Sequence, residues 1–115
     1  MDHVVVPGED MAYVKESFHS MVEKICADAD AAYEKVDASY GGEYFGRVDK
    51  GACLGLKAIV RWMAATPLWN GGTLPNDTRA FKDEYTTYDP KRWEAARDAA
   101  KDVLEAKRCQ WSYSV

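Results

Sequence analysis

The sequence predicts an all-α fold: a compact three- or four-helix bundle with a long aromatic-containing loop between the second and last long helices. Three features carry this expectation. Apolar residues recur at helical spacing from Met11 to Val36, cap and stop signals bracket two further apolar runs at Asp49–Pro67 and Asp89–Cys109, and the stretch between those runs is dense in turn residues. At 115 residues and 12.9 kDa, a single helical domain over residues 1–115 is expected, large enough for a modest core without metal or disulfide staples.

The first helix is expected over about residues 8–39, with Pro7 suited to its first turn, Glu9 and Asp10 favoured by the N-terminal dipole, and Gly41-Gly42 as its stop. Three successive valines before Pro7 suit a short extended piece. The apolar face of the helix is Met11, Val14, Phe18, Met21, Ile25, Ala29, Ala32 and Val36. The mean step of about 3.6 residues is that of a straight helix, not of a supercoiled heptad seam.

A second pattern lies beside the first. Glu9, Glu16, Glu23, Asp30 and Asp37 recur at every seventh position, and Glu34 adds to the same side. Seven residues advance about 10.5 Å along a helix and drift about 20° around it, so these carboxylates would form a slowly winding stripe. The offsets where lysines would stabilise it hold mostly Ser20, Ala27, Cys26, Tyr33, Ala12 and Tyr13, and only His19 could offset it locally. The repulsion must be answered by another part of the chain or by another molecule.

The second helix runs from Asp49, as N-cap, to Thr66, with Pro67 as its stop. Ala52, Leu56, Ile59 and Met63 form one stripe that Cys53 and Val60 widen, which predicts a central, buried helix. Gly51, Gly55 and Ala58 put small residues on another side, suited to close approach of a neighbouring backbone. Pro67–Pro90 contains two turn signals, Asn70-Gly71-Gly72 and Pro75-Asn76-Asp77. A short helix over Thr78–Tyr85 could follow, with Trp69, Phe81, Tyr85 and Tyr88 around it.

Asp89-Pro90 opens the last helix, expected to reach about Cys109. Trp93, Ala96, Ala100, Leu104 and Trp111 make its inward stripe, with help from Val103. Arg97, Lys101 and Arg108 share a flanking side, the natural internal answer to the acidic stripe.

Net charge is -4, with 11 acids against 5 bases in residues 1–50 and 8 against 10 in residues 51–115. The bases of the last helix alternate with Glu94, Asp98, Asp102 and Glu105, which argues against direct nucleic-acid binding. Cys26, Cys53 and Cys109 are an odd number without a CxxC pair, so neither a disulfide framework nor a zinc site is expected. A reducing, cytoplasmic setting follows, and Lys57 and Arg61 in so short a helix argue against a membrane span.

Chemistry finds little purchase. Glu16, His19 and Glu23 share a helical face, but a di-iron bundle needs that unit repeated on another helix, and the only other histidine is His3. Cys26 stands two turns from His19, about 10.5 Å along the axis, too far for a thiol–base pair. Neither glycine pair has the setting of a phosphate loop. No catalytic residue, metal or cofactor is expected.

A row of carboxylates can imitate the spaced charges of a phosphate backbone. The leading expectation is therefore a non-enzymatic inhibitor or modulator that binds a protein partner, for example a nucleic-acid-binding protein with a basic groove. Glu16, Glu23, Asp30, Glu34 and Asp37 would engage that groove, and Trp69, Tyr85 or Tyr88 would anchor it. In size, lack of a catalytic set and unbalanced acidic helix, the chain resembles small phage-encoded inhibitors of host machinery, including anti-CRISPR proteins. That resemblance is one of character and transfers no residues. The alternative is a small ligand-binding or enzymatic bundle with a site under the 67–90 loop, using Arg79, Lys82, Asp83 and Tyr85. A homodimer joining the acidic stripe of one chain to the basic helix of another also stays open, as does a stripe that is merely solvated.

Overall fold

The computed structural model describes Val4, residues 6–10 and residues 13–106. Among the described residues the regular structure is all helical: α1 (Phe18–Lys35), a 3-10 turn (Gly42–Tyr44), α2 (Lys50–Ala65), α3 (Lys82–Thr86) and α4 (Pro90–Glu105). His3, Met11, Arg108, Cys109 and Trp111 lie outside the described residues.

The first helix is shorter at both ends than its periodicity suggests. Ser17 starts it, its hydroxyl accepting from the Ser20 N–H at 3.1 Å, a cap that Pro7 cannot match. Pro7-Gly8 instead forms a turn closed by the Glu9 N–H on the Val6 carbonyl at 3.2 Å, with Gly8 at φ 90°. At the other end Val36 is already extended. Glu9, Glu16 and Asp37 therefore stand off the helix, and Glu23, Asp30 and Glu34 stand on it.

The second and last helices begin where their caps place them. Asp49 accepts from the Ala52 N–H at 2.9 Å, and Asp89 accepts from the Lys91 N–H at 3.0 Å with Pro90 in the first turn. The short helix starts at Lys82, not Thr78, after Phe81 takes a left-handed conformation at φ 64°.

α1 and α4 each pack on α2 and do not pack on each other, so the order across the bundle is α1–α2–α4. The ion pairs Glu23–Arg61 and Asp30–Lys57 run in opposite chain directions, making α1 and α2 antiparallel. The buried residues of the three long helices are Val22, Cys26 and Ala29 from α1, Cys53, Ala64 and Ala65 from α2, and Ala96 and Ala99 from α4. Phe18 and Val60 pack beside them.

This core corrects the expected stripes. On each long helix the buried face is turned by about one residue, roughly 100°, toward the small side chains. Met21, Leu56, Ile59, Met63, Trp93 and Leu104 were expected inside but are between 41% and 69% exposed. Alanine and cysteine seams let helix axes approach closely, and the positions beside them carry ion pairs that a seam of large residues would hold apart. The close backbone approach expected along the glycine side is absent at Gly55, where an added Cβ would meet nothing within 4 Å.

At about 100° per residue, Lys50, Lys57 and Arg61 share one side of α2, and Ala52, Leu56, Ile59 and Met63 share the opposite side. The cationic side forms the floor of a groove between α1 and α4. The apolar side faces away from it.

Candidate partner-binding groove

The acidic stripe is largely answered within the chain. Glu16 accepts from Lys24 Nζ at 2.5 Å and from the Ser20 hydroxyl at 3.0 Å. Glu23 takes both ends of the Arg61 guanidinium, with Nη2 to Oε2 at 2.8 Å and Nη1 to Oε1 as the second bond. Asp30 accepts from Lys57 Nζ at 2.7 Å. The partner helix is thus α2, not the last helix: Arg97 pairs with its neighbour Asp98, and Lys101 pairs with Glu105 at 3.4 Å.

The bonds of Glu16 and Glu23 shift their titration. The Lys24 and Ser20 bonds hold the Glu16 carboxyl below its usual range, and Arg61 does the same for Glu23 while being raised in return. Burial pushes the Cys26 thiol up, as expected for an inert structural cysteine.

Glu34 and Asp37 have no ion pair among the described residues. Glu34 lies at one end of the groove, a concavity of about 420 Å³ walled by Asp30, Tyr33 and Glu34 from α1 and by Asp102, Glu105 and Ala106 from α4, with Leu54 and Lys57 on its floor. The other end, about 270 Å³, has mixed charge from Glu23, Asp89, Arg61, Lys91 and Arg92. Asp37 stands beyond α1, where its backbone N–H donates to the Tyr40 hydroxyl at 3.1 Å.

Sequence reasoning missed Asp102 and Glu105 as members of this site. Their signal was present: with Asp98 they follow one another at four- and three-residue steps on one side of α4. The alternation with bases concealed it, because the pairing of Arg97 and Lys101 along their own helix was not visible.

The aromatic loop is mostly an internal cap. Trp69 stacks on Phe18 at 4.2 Å and meets Tyr85 edge-on at 4.9 Å. The Tyr85 hydroxyl accepts the Phe18 N–H at 2.8 Å, satisfying an orphan donor of the first turn of α1. His19 Nε2 lies 2.8 Å from the Trp69 carbonyl, which can only accept, so that nitrogen carries a proton. Arg79 lies over both the Trp69 and Tyr85 rings, pairs with Asp77 and donates to the Leu68 carbonyl at 2.6 Å. Tyr85 is buried, whereas Tyr88 is exposed. Of the aromatics expected to anchor a partner, Tyr88 presents the most ring to solvent. Of Arg79, Lys82, Asp83 and Tyr85, the polar groups expected of a site under the loop, Arg79 and Tyr85 are engaged in building the cap.

Glu16, His19 and Glu23 diverge to Lys24, the Trp69 carbonyl and Arg61 respectively. Among the described residues no group of three or more His, Cys, Asp or Glu could hold a metal ion, and no helix is long and apolar enough to cross a membrane. No protein-family model, curated protein or solved structure matches this chain.

Proposed function

We propose that this is a non-enzymatic binding protein that modulates a protein partner by setting the acidic end of its α1–α4 groove against a basic surface. The observation that carries the reading is the convergence of Asp30 and Glu34 from one helix with Asp102 and Glu105 from another, with Lys57 on the floor between them. Asp30 is paired with Lys57 and Glu105 with Lys101, which leaves Glu34 and Asp102 as the carboxylates of this lining without an ion pair among the described residues. That negative charge, held by rigid helices, suits electrostatic steering toward a cationic partner. In the phage-inhibitor reading raised by the sequence, that partner is a nucleic-acid-binding protein whose basic groove is occluded. Exposed Tyr88 is the remaining aromatic candidate for apolar anchoring.

The test is affinity capture of the tagged protein from its source cells at low and high salt, with wild type beside a Glu34→Lys/Asp102→Lys double variant. A stoichiometric partner with a basic surface, lost in high salt and in the double variant, is the expected result. A partner that holds the double variant as firmly as wild type would refute the groove. Glu23 and Asp30 are poor choices for reversal, because lysine at either would face Arg61 or Lys57 and disturb the α1–α2 seam.

A further inference from the structure

We propose that the apolar face opposite the groove is a homodimer interface, in which two copies pack α2 against α2 about a two-fold axis. The inference does not depend on the groove's function, since the two surfaces lie on opposite sides of the helix layer.

The orientation follows from the helix geometry. Lys57 and Arg61 mark the groove side of α2, Glu23, Asp30 and Glu34 that of α1, and Lys91, Asp102 and Glu105 that of α4. Turning half a revolution at about 100° per residue brings Met21 on α1, Leu56, Ile59 and Met63 on α2, and Trp93 and Leu104 on α4 to the other side. All six are 41% to 69% exposed. Taking about 200 Å² for each when free, within the range for large aromatic side chains, complete cover of all six would remove roughly 600 Å² per copy, or roughly 1,200 Å² for a pair. That is the lower bound of a stable interface, before Trp62 and the flanking alanines are included.

Two further features favour a second copy over another partner. First, the charged side chains of α2 are Lys50, Lys57 and Arg61, all on the groove side. Lys50 lies over the Tyr33 ring at 4.8 Å, and the other two pair with α1. The middle of the apolar face is therefore uncharged, and the exposed charges nearest to it, Asp28 on α1 and Arg97 on α4, stand on the flanking helices. Second, the face is graded in size: Ala52 stands near its start with Gly55 at its edge, where a Cβ would meet nothing within 4 Å, and Met63 stands near its end with Trp62 at its edge. An antiparallel two-fold arrangement lays the large end of one α2 over the small end of the other. Self-complementarity of this kind is what an isologous interface requires.

The core points the same way. Among the described residues, the buried hydrophobic ones larger than cysteine are Val22 and Tyr85, whereas Met21, Leu56, Ile59, Trp62, Met63, Trp93 and Leu104 stay exposed. A second layer would complete the two-layer build of a helical domain and leave both acidic grooves facing outward.

The test is light scattering on the full chain over a wide concentration range, at low and high salt, together with melting temperature against concentration. A mass of twice 12.9 kDa that persists in high salt, with a melting temperature that rises with protein concentration, is expected. Ile59→Asp should weaken association at least about tenfold, and Glu34→Lys, on the groove side, should leave it unchanged. If Ile59→Asp loses its helical circular dichroism, the milder Leu56→Gln takes its place. A mass of 12.9 kDa at every concentration with an invariant melting temperature overturns the proposal. So does a dimer that dissociates in salt, or one that Ile59→Asp leaves intact.

Discussion

The Arg61 guanidinium holds both carboxylate oxygens of Glu23 across the α1–α2 seam. With Asp30–Lys57 two turns further along α1, it turns the acidic side of α1 toward α2 and fixes the antiparallel register of the two helices. The charge that looks uncompensated along one helix is compensated by the next.

This pair should show in a double-mutant cycle. Its side chains are 65% exposed at Glu23 and 23% at Arg61, so water screens much of the attraction. Glu23→Gln combined with Arg61→Gln should give a coupling of about 0.5–1 kcal/mol by urea unfolding. Zero coupling would make the pair incidental to the seam.

Asn70 should be harder to replace. Its buried side chain accepts the Asp89 N–H at 2.8 Å and Arg92 Nη1 at 3.0 Å, and donates to the Asp89 carbonyl at 3.1 Å, tying the loop to the start of α4. Asn70→Ala leaves these groups without partners and should cost about 1–3 kcal/mol. Asn70→Asp retains both acceptor contacts but sets a carboxylate against a carbonyl, so it should recover only part of the loss. Equilibrium unfolding of both variants checks the order.

The glycines separate into required and replaceable positions. A Cβ on Gly72 would run into the Pro67 carbonyl that accepts the Gly72 N–H at 2.7 Å, and its distance to the carbonyl carbon would be only 2.8 Å. Gly72→Ala should therefore destabilise by about 1–3 kcal/mol. Gly41, at φ -119° with open space around its Cβ position, should tolerate alanine within about 0.5 kcal/mol. Similar losses at the two sites would contradict this packing of the loop.

Acid should open the loop through Asp77. Its hydrogen bonds from the Arg79 side chain and backbone lower its carboxyl from 3.8 to about 2. A depressed carboxyl contributes stability above its unfolded value that is lost as pH falls through the folded one, so the window lies between about pH 4 and pH 2. Glu16 and Glu23, also lowered, add to the loss on the same side. Chemical shifts of the Trp69 indole and the Arg79 Nε–H, followed from pH 5 to pH 2, should report the opening. Asp77→Asn should flatten the Asp77 part of the profile while leaving that of Glu23.

Sequence by itself determined the helical class and the ends with strong caps. Asp49 and Asp89-Pro90 act through hydrogen bonds to residues two or three positions away, and Pro67 acts through its own ring, so neighbours alone decide them. α1 was harder to bound, because periodicity extends past a helix end as readily as it fills a helix and Ser17 competes quietly with Pro7. Of the groove, Asp30 and Glu34 were legible as members of an acidic row, whereas Asp102 and Glu105 were not, since they join it only when α4 packs beside α2. Tertiary structure alone decided which side of each helix is buried. Hydrophobic spacing names the face with the largest apolar area, but closeness of approach and the Glu23–Arg61 and Asp30–Lys57 pairs chose the small-residue seam beside it.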